Sequence, residues 1–174
     1  AGVGKTALLR QLRRQAGSGL RWWWGGCEPL LSPPPLAPLI DFIDQLPLAL
    51  APAVRAAQPM GQVMAGLLDA LRDHRQPTVV VIEDVHWADG ATLDLLRYLG
   101  RRIDTTRALL LLSYRDDEVT SAHPLLAVLG GWPASHTLRL AVPPLSEAAV
   151  VAWARQAGRD PAGLHLATGG NPFF

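Results

Sequence analysis

The sequence predicts an α/β fold built on a parallel sheet. Thr78–Ile82 is a continuous run of apolar and β-branched residues, the pattern of a strand covered on both faces, and Ala108–Ser113 is a second such run. Amphipathic helical stretches fall before and between them. The clearest is Met60–His74, where Met60, Val63, Met64, Leu67, Leu68 and Leu71 recur at helical spacing.

The remaining elements follow in chain order. Thr6–Ala16 reads as a helix with Leu8, Leu9, Leu12 and Ala16 on one side and Arg10, Arg13 and Arg14 toward solvent; Gly17-Ser18-Gly19 ends it. Leu20–Trp24 is a short strand stopped by Gly25-Gly26, with Trp22 and Trp24 on one face and Trp23 on the other. Leu30–Pro38 is a proline-rich loop, after which Leu39, Phe42, Ile43 and Leu46 take helical spacing. Pro47–Pro59 accommodates one short helix between prolines. Gly90–Ile103 is a helix that Asp89 is placed to cap, and Ala122–Leu129 is a shorter one. His136–Val142 alternates like a third strand. After Pro143-Pro144 only helices follow: one N-capped by Ser146 and running to Gln156, and one over Asp160–Ala167. The expected organisation is a sheet-bearing core over residues 1–142 and the start of a small helical subdomain over 143–174.

Composition narrows the function classes. Of 174 residues 49% are hydrophobic, which excludes disorder and supports a sizeable core. One cysteine, Cys27, excludes an internal disulfide and a cysteine-rich zinc site, and it reads as inert. The 16 basic and 15 acidic residues leave a net charge of +1 without a basic block, so nucleic acid is not an expected partner of this segment. The apolar run Ala108–Leu112 is far too short for a bilayer, and no signal-peptide pattern opens the chain. A cytoplasmic protein is expected. The start at Ala1 and the finish at Asn171-Pro172-Phe173-Phe174 read as the ends of a fragment of a longer chain.

The single lysine of the chain, Lys5, stands in Ala1-Gly2-Val3-Gly4-Lys5-Thr6. That is the second half of the phosphate-loop template Gly-x-x-x-x-Gly-Lys-[Ser/Thr]. Gly2 and Gly4 let the backbone turn its N–H groups toward phosphate oxygens. The helix that follows adds the positive end of its dipole. Lys5 suits the β- and γ-phosphates, and the Thr6 hydroxyl suits Mg²⁺. The competing reading is a plain glycine turn ahead of an amphipathic helix. Glu83-Asp84 ends the Thr78–Ile82 strand, where open α/β sheets place their ligands. Acids there hold Mg²⁺ or orient a water against the γ-phosphate. The alternative is a solvated acidic turn, which the pairing with Lys5-Thr6 disfavours.

Taken together, Ala1–Thr6 and Val79–Asp84 resemble the Walker A and Walker B pair of P-loop ATPases. The continuation Glu83-Asp84-Val85-His86-Trp87-Ala88-Asp89 is similar to the signature of the origin-recognition-like AAA ATPase domains found in large LuxR-type regulators and other signalling ATPases of the STAND class. Ser113-Tyr114-Arg115-Asp116-Asp117-Glu118, Pro144-Leu145-Ser146 and Thr168-Gly169-Gly170-Asn171-Pro172-Phe173 agree with it in order.

The resemblance implies a three-layer P-loop sandwich whose first, central strand lies outside this sequence, between the strands ending near Ser113 and Val142. The sheet is therefore expected to carry an unpaired edge, and the isolated segment to be unstable. It implies binding of ATP and Mg²⁺ by Gly2, Val3, Gly4, Lys5, Thr6 and Ala7, with Pro172 contacting the nucleotide. It also implies a metal role for Thr6 and Glu83, catalytic roles for Glu83 and Asp84, and a γ-phosphate sensor at Arg115. At Glu83 relatives often carry Asp, so the division of metal duty between Glu83 and Asp84 stays open. The implied function is an ATP-binding, slowly hydrolysing switch of a larger signalling or transcriptional regulator. Its partners are ATP and ADP, with nucleotide-dependent self-association and with DNA reached only through domains elsewhere. A P-loop phosphotransferase and a non-hydrolysing nucleotide scaffold are the alternatives.

Several residues carry two readings. Arg115 is a sensor or the partner of Asp116 or Asp117. His86 is structural before it is functional, Trp87 is a packing anchor, and Arg101-Arg102 is a solvated helix end before it is an arginine finger. Trp22–Trp24 is core before it is a contact surface.

Overall fold

The computed structural model describes residues 2–56, 59–73 and 76–174. The helices are α1 (Lys5–Gln15), α2 (Ala37–Ile40), α3 (Ala51–Ala56), α4 (Met60–Leu71), α5 (Gly90–Gly100), α6 (Pro124–Gly130), α7 (Glu147–Gln156) and α8 (Leu164–Thr168). The strands are β1 (Arg21–Gly26), β2 (Thr78–Glu83) and β3 (Ala108–Leu112). All pairing is parallel, in the order β1-β2-β3, with Trp23 opposite Val80 and Val80 opposite Leu110. The fold is therefore α/β with a parallel sheet, as the apolar runs and their alternation with helices require. The chain divides into two compact units, Gln15–Leu138 and Ala1–Arg14 with Arg139–Phe174.

The larger unit holds the sheet. β2 is central, and its first five residues are buried. Trp23, Val80 and Ile82 face a core that α2 to α6 complete with Leu39, Val54, Leu67, Leu96 and Leu125. Trp23 stacks on Phe42 with ring centroids 5.7 Å apart, while Trp22 and Trp24 meet on the opposite face at 6.3 Å. The alternation expected of the three tryptophans is what the strand shows.

Gly25-Gly26 does not stop β1. Both glycines pair, with Ile82 and Glu83. A Cβ on Gly25 would strike the carbonyl oxygen of Pro38, so glycine here lets α2 pack on the strand. The helical spacing of Leu39 to Leu46 is realised as α2 and a separate 3₁₀ turn over Ile43–Gln45; all four apolar residues are buried, so burial holds although the helix breaks. α4 ends at Leu71, and His74, expected in it, lies outside the described residues. α5 ends at Gly100, with Ile103 opening a 3₁₀ turn. α6 starts at Pro124, two residues later than expected, because proline suits the first helical position and His123 caps it through Nδ1.

Two strand expectations are corrected. β3 is only half-buried, with Leu109 51% exposed, because its outer edge pairs with no strand among the described residues. His136–Val142 forms no strand: Ala134–His136 is a 3₁₀ turn, and Leu138 and Leu140 stay exposed. Alternation makes a strand only where a partner completes the ladder, and none is paired with this segment.

The smaller unit contains most of α1 together with α7 and α8. α1 begins and ends one residue earlier than the expected Thr6–Ala16, and Leu8 and Leu12 remain exposed. Ser146 caps α7 by accepting from the Ala149 amide, as the sequence predicts. α8 starts at Leu164 rather than Asp160. Asp160 instead caps a turn through the Ala162 amide, and Gly163 adopts a left-handed conformation just ahead of the helix.

Candidate functional site

The phosphate-loop residues lie in the smaller unit. Gly2 and Gly4 have φ of +80° and +94°, conformations that L side chains rarely adopt, on either side of Val3. α1 starts immediately afterwards at Lys5, and the Gly4 carbonyl accepts its first helical bond from Leu8 at 2.9 Å. No acidic residue occupies the first turn. Left-handed glycines leading into a helix start make a concave row of N–H donors suited to phosphate oxygens, with Lys5 and Thr6 at its end.

The turn after α8 packs on this loop. Gly169 and Gly170 are left-handed. Thr168 Oγ1 accepts from the Gly170 amide, the Gly170 carbonyl accepts from Leu145, and Asn171 Oδ1 accepts from the Phe173 amide. The space a Cβ would take on Gly2 is filled by Asn171 Oδ1 and Phe173 Cβ, each 2.7 Å away, and that on Gly4 is 3.7 Å from Pro172 Cγ. The smaller unit thus brings together Gly2, Val3, Gly4, Lys5, Thr6, Ala7 and Pro172, residues more than 160 positions apart in sequence.

The acids lie in the larger unit, at the carboxyl end of β2. Glu83 Oε1 accepts from the Trp24 indole N–H at 2.8 Å, so the neighbouring strand orients this carboxylate. Asp84 leaves the strand with φ of +52°, one of two non-glycine residues with positive φ among those described. Its amide donates to the buried Ser113 Oγ at 3.1 Å, and the Ser113 carbonyl accepts from Val85. β3 therefore holds the backbone of β2 in the turn that presents Asp84. In the sequence Ser113 stands out only as the end of the β3 run and the start of a matching segment; its signal as a positioning group is that it is the first hydroxyl after that run.

Arg115 joins this group. Its Nε is 3.9 Å from Asp84 Oδ1, its Nη1 is 2.6 Å from Glu118 Oε1, and its guanidinium lies 4.8 Å above the Trp87 ring. The expected partners Asp116 and Asp117 are not those it takes, because the 3₁₀ turn Asp116–Glu118 brings position i+3 back to the arginine. This guanidinium hydrogen bond and charge hold the Glu118 carboxyl below the usual carboxylate range. Asp89 caps α5 by accepting from the Thr92 amide at 3.0 Å, as expected of it. Burial, then the negative charges of Asp89, Asp84 and Asp41, push the Cys27 thiol up to about 12, which agrees with the inert role expected of it.

Within the smaller unit the glycine amides, Lys5 and the Thr6 hydroxyl are donors of the kind a phosphate and its hard cation take; within the larger unit the Glu83 carboxylate is a hard oxygen donor of the kind magnesium takes.

A family model described as AAA ATPase domain matches residues 1–112. The chain belongs to the AAA ATPase domain family. AAA ATPase domains bind and hydrolyse nucleotide, which is the chemistry the phosphate loop and the strand-end acids suit. In this AAA ATPase domain the matched stretch contains Gly2 to Ala7, Glu83 and Asp84, and stops before Arg115 and Pro172. No curated protein matches the chain. Among the described residues no helix is long and apolar enough to cross a membrane.

Proposed function

We propose that this AAA ATPase domain is an ATP-binding, slowly hydrolysing switch of a larger signalling or transcriptional regulator. The observation that carries nucleotide binding is the pair of left-handed glycines, Gly2 and Gly4, placed directly before α1 and Lys5-Thr6. The regulatory role and slow turnover rest on the resemblance of Glu83–Asp89 to the STAND-class signature.

Backbone amides from Gly2 to Ala7 bind phosphate oxygens, and Lys5 neutralises the β- and γ-phosphates. Bound Mg²⁺ supplies further charge neutralisation at those phosphates, with Thr6 and Glu83 as its protein ligands. Asp84 accepts a hydrogen bond from the attacking water and aligns it for in-line displacement. Arg115 senses the γ-phosphate, and Pro172 contacts the nucleotide beside Gly4. Residues 143–174 belong to a helical subdomain that follows the core of residues 1–142. The regulator is cytoplasmic and self-associates in a nucleotide-dependent way, and its DNA contacts fall to other domains.

The test uses the full-length protein. Lys5→Ala is expected to abolish ATP and ADP binding in calorimetry, and unchanged affinity refutes the phosphate-site assignment. Asp84→Ala is expected to retain binding and to lose phosphate release; normal turnover moves the water-orienting role elsewhere.

A further inference from the structure

We infer that Glu118 is a positioning residue, one that fixes the guanidinium of Arg115 in the orientation that distinguishes ATP from ADP; the inference rests on Arg115 being the γ-phosphate sensor. The two oxygens of the Glu118 carboxylate do different work. Oε1 accepts from Arg115 Nη1 at 2.6 Å. Oε2 accepts from the Trp87 indole at 3.1 Å and lies 3.4 Å from His86 Nε2. His86 is buried, its side chain 1% exposed, and its ring packs 4.4 Å from that of Trp87. His123 Nε2, from the start of α6, lies within hydrogen-bond distance of the His86 carbonyl at 3.1 Å. The carboxylate is thus anchored on a packed aromatic pair at one oxygen and holds the arginine with the other.

Stability does not account for this arrangement. An exposed arginine–carboxylate pair contributes little to stability. Orientation does account for it. A free arginine side chain carries large rotamer entropy, which phosphate binding would have to overcome. Here Glu118 holds one end of the guanidinium, the Trp87 ring supports its plane, and Asp84 lies near Nε. Among the described residues Nη2 has no partner, so that edge of the fork keeps its donors for an anionic oxygen. The guanidinium is therefore held in one orientation by contacts within its own unit.

The test measures affinities of the full-length protein for ADP and for a non-hydrolysable ATP analogue, in the wild type, Arg115→Ala, Glu118→Ala and the double variant. Arg115→Ala is expected to lower triphosphate affinity roughly tenfold relative to diphosphate, the value of a charge-assisted hydrogen bond. Glu118→Ala is expected to reproduce roughly three- to fivefold of that loss, the scale of an exposed ion pair, with ADP affinity unchanged. The double variant should be no worse than Arg115→Ala alone, because Glu118 acts through the arginine. Glu118→Gln keeps an acceptor for Trp87 and removes the charge, so an intermediate loss is expected without any loss of fold.

Two results overturn the inference: a wild-type affinity ratio in both Glu118 variants while Arg115→Ala shifts it, or multiplicative losses in the double variant. An unchanged ratio in Arg115→Ala overturns the sensor reading and this inference with it. Normal nucleotide binding by Lys5→Ala is the separate failure of the phosphate site.

Discussion

Gly25 and Gly26 are adjacent in β1, yet a methyl group added to each meets different surroundings. On Gly25 it would overlap the Pro38 carbonyl oxygen and lie 2.8 Å from the Pro38 carbonyl carbon and 3.0 Å from its Cα. On Gly26 the nearest atoms, Glu83 Cβ and O, are 4.0 Å away, which is ordinary contact. The obstacle at Gly25 is backbone on both sides, so no rotamer change relieves it. Either α2 lifts from the sheet or the end of β1 leaves β2, taking with it the Cys27 amide bond to the Glu83 carbonyl. Overpacking a core costs about 1–3 kcal/mol where side chains can adjust, and a clash between two backbones belongs at or above the top of that range. Gly25→Ala is therefore expected to lower the melting temperature by about 6–12 °C, taking roughly 3 kcal/mol and 2–4 °C per kcal/mol for a chain of this size. Gly26→Ala is expected to stay within about 1 kcal/mol of wild type, because removing glycine also reduces the freedom of the unfolded chain. Thermal unfolding followed by indole fluorescence reads both, since Trp22, Trp23 and Trp24 precede the two sites. Equal melting temperatures for the two variants would refute the close packing of α2 on β1.

Three further outcomes are expected. Asp89→Ala should destabilise α5 by about 1 kcal/mol through loss of its N-cap while leaving ATP turnover intact, measured by melting and phosphate release; lost turnover would give Asp89 a catalytic role. Cys27 should resist iodoacetamide at pH 8 in the native protein and react fast in denaturant, since its thiol is raised to about 12 when folded. The sign follows: Cys27 contributes to stability below the unfolded thiol value of about 8.5 and loses that contribution as pH rises toward 12. Glu118, lowered by Arg115, should contribute above the ordinary glutamate value and lose its contribution as pH falls through its lower folded value. Carboxyl carbon NMR should show its midpoint rising in Arg115→Ala, and an unmoved midpoint would contradict the pairing.

Much of the fold could be read from neighbouring residues. The spacing of Val63, Leu67, Leu68 and Leu71, the β-branched run of β2, and the capping residues Asp89 and Ser146 all act over one or two helical turns, and each element formed at the start they mark, although α4 and α5 end earlier than expected. Errors fell where the decision was not local. Gly25-Gly26 looked like a strand end because glycine is a turn residue, whereas α2 packing on β1 made it an interior requirement. His136–Val142 had the alternation of a strand, but no ladder formed.

The site divides in the same way. Lys5-Thr6 and Glu83-Asp84 are candidates legible from residue type and spacing, because phosphate binding calls for glycine, an ammonium and a hydroxyl in one short loop. Partners were another matter. Neither the Ser113 hydroxyl holding Asp84 nor the Trp24 indole on Glu83 follows from any local pattern, and the choice of Glu118 by Arg115 over its neighbours Asp116 and Asp117 follows from the shape of the turn and not from residue type. Those contacts join residues of different strands, or of a turn whose shape is set by what it packs on. Chain chemistry names the groups able to bind a nucleotide; the pairing of strands and the folding back of loops select which neighbours orient them, because a hydrogen bond depends on positions in space that sequence distance does not specify.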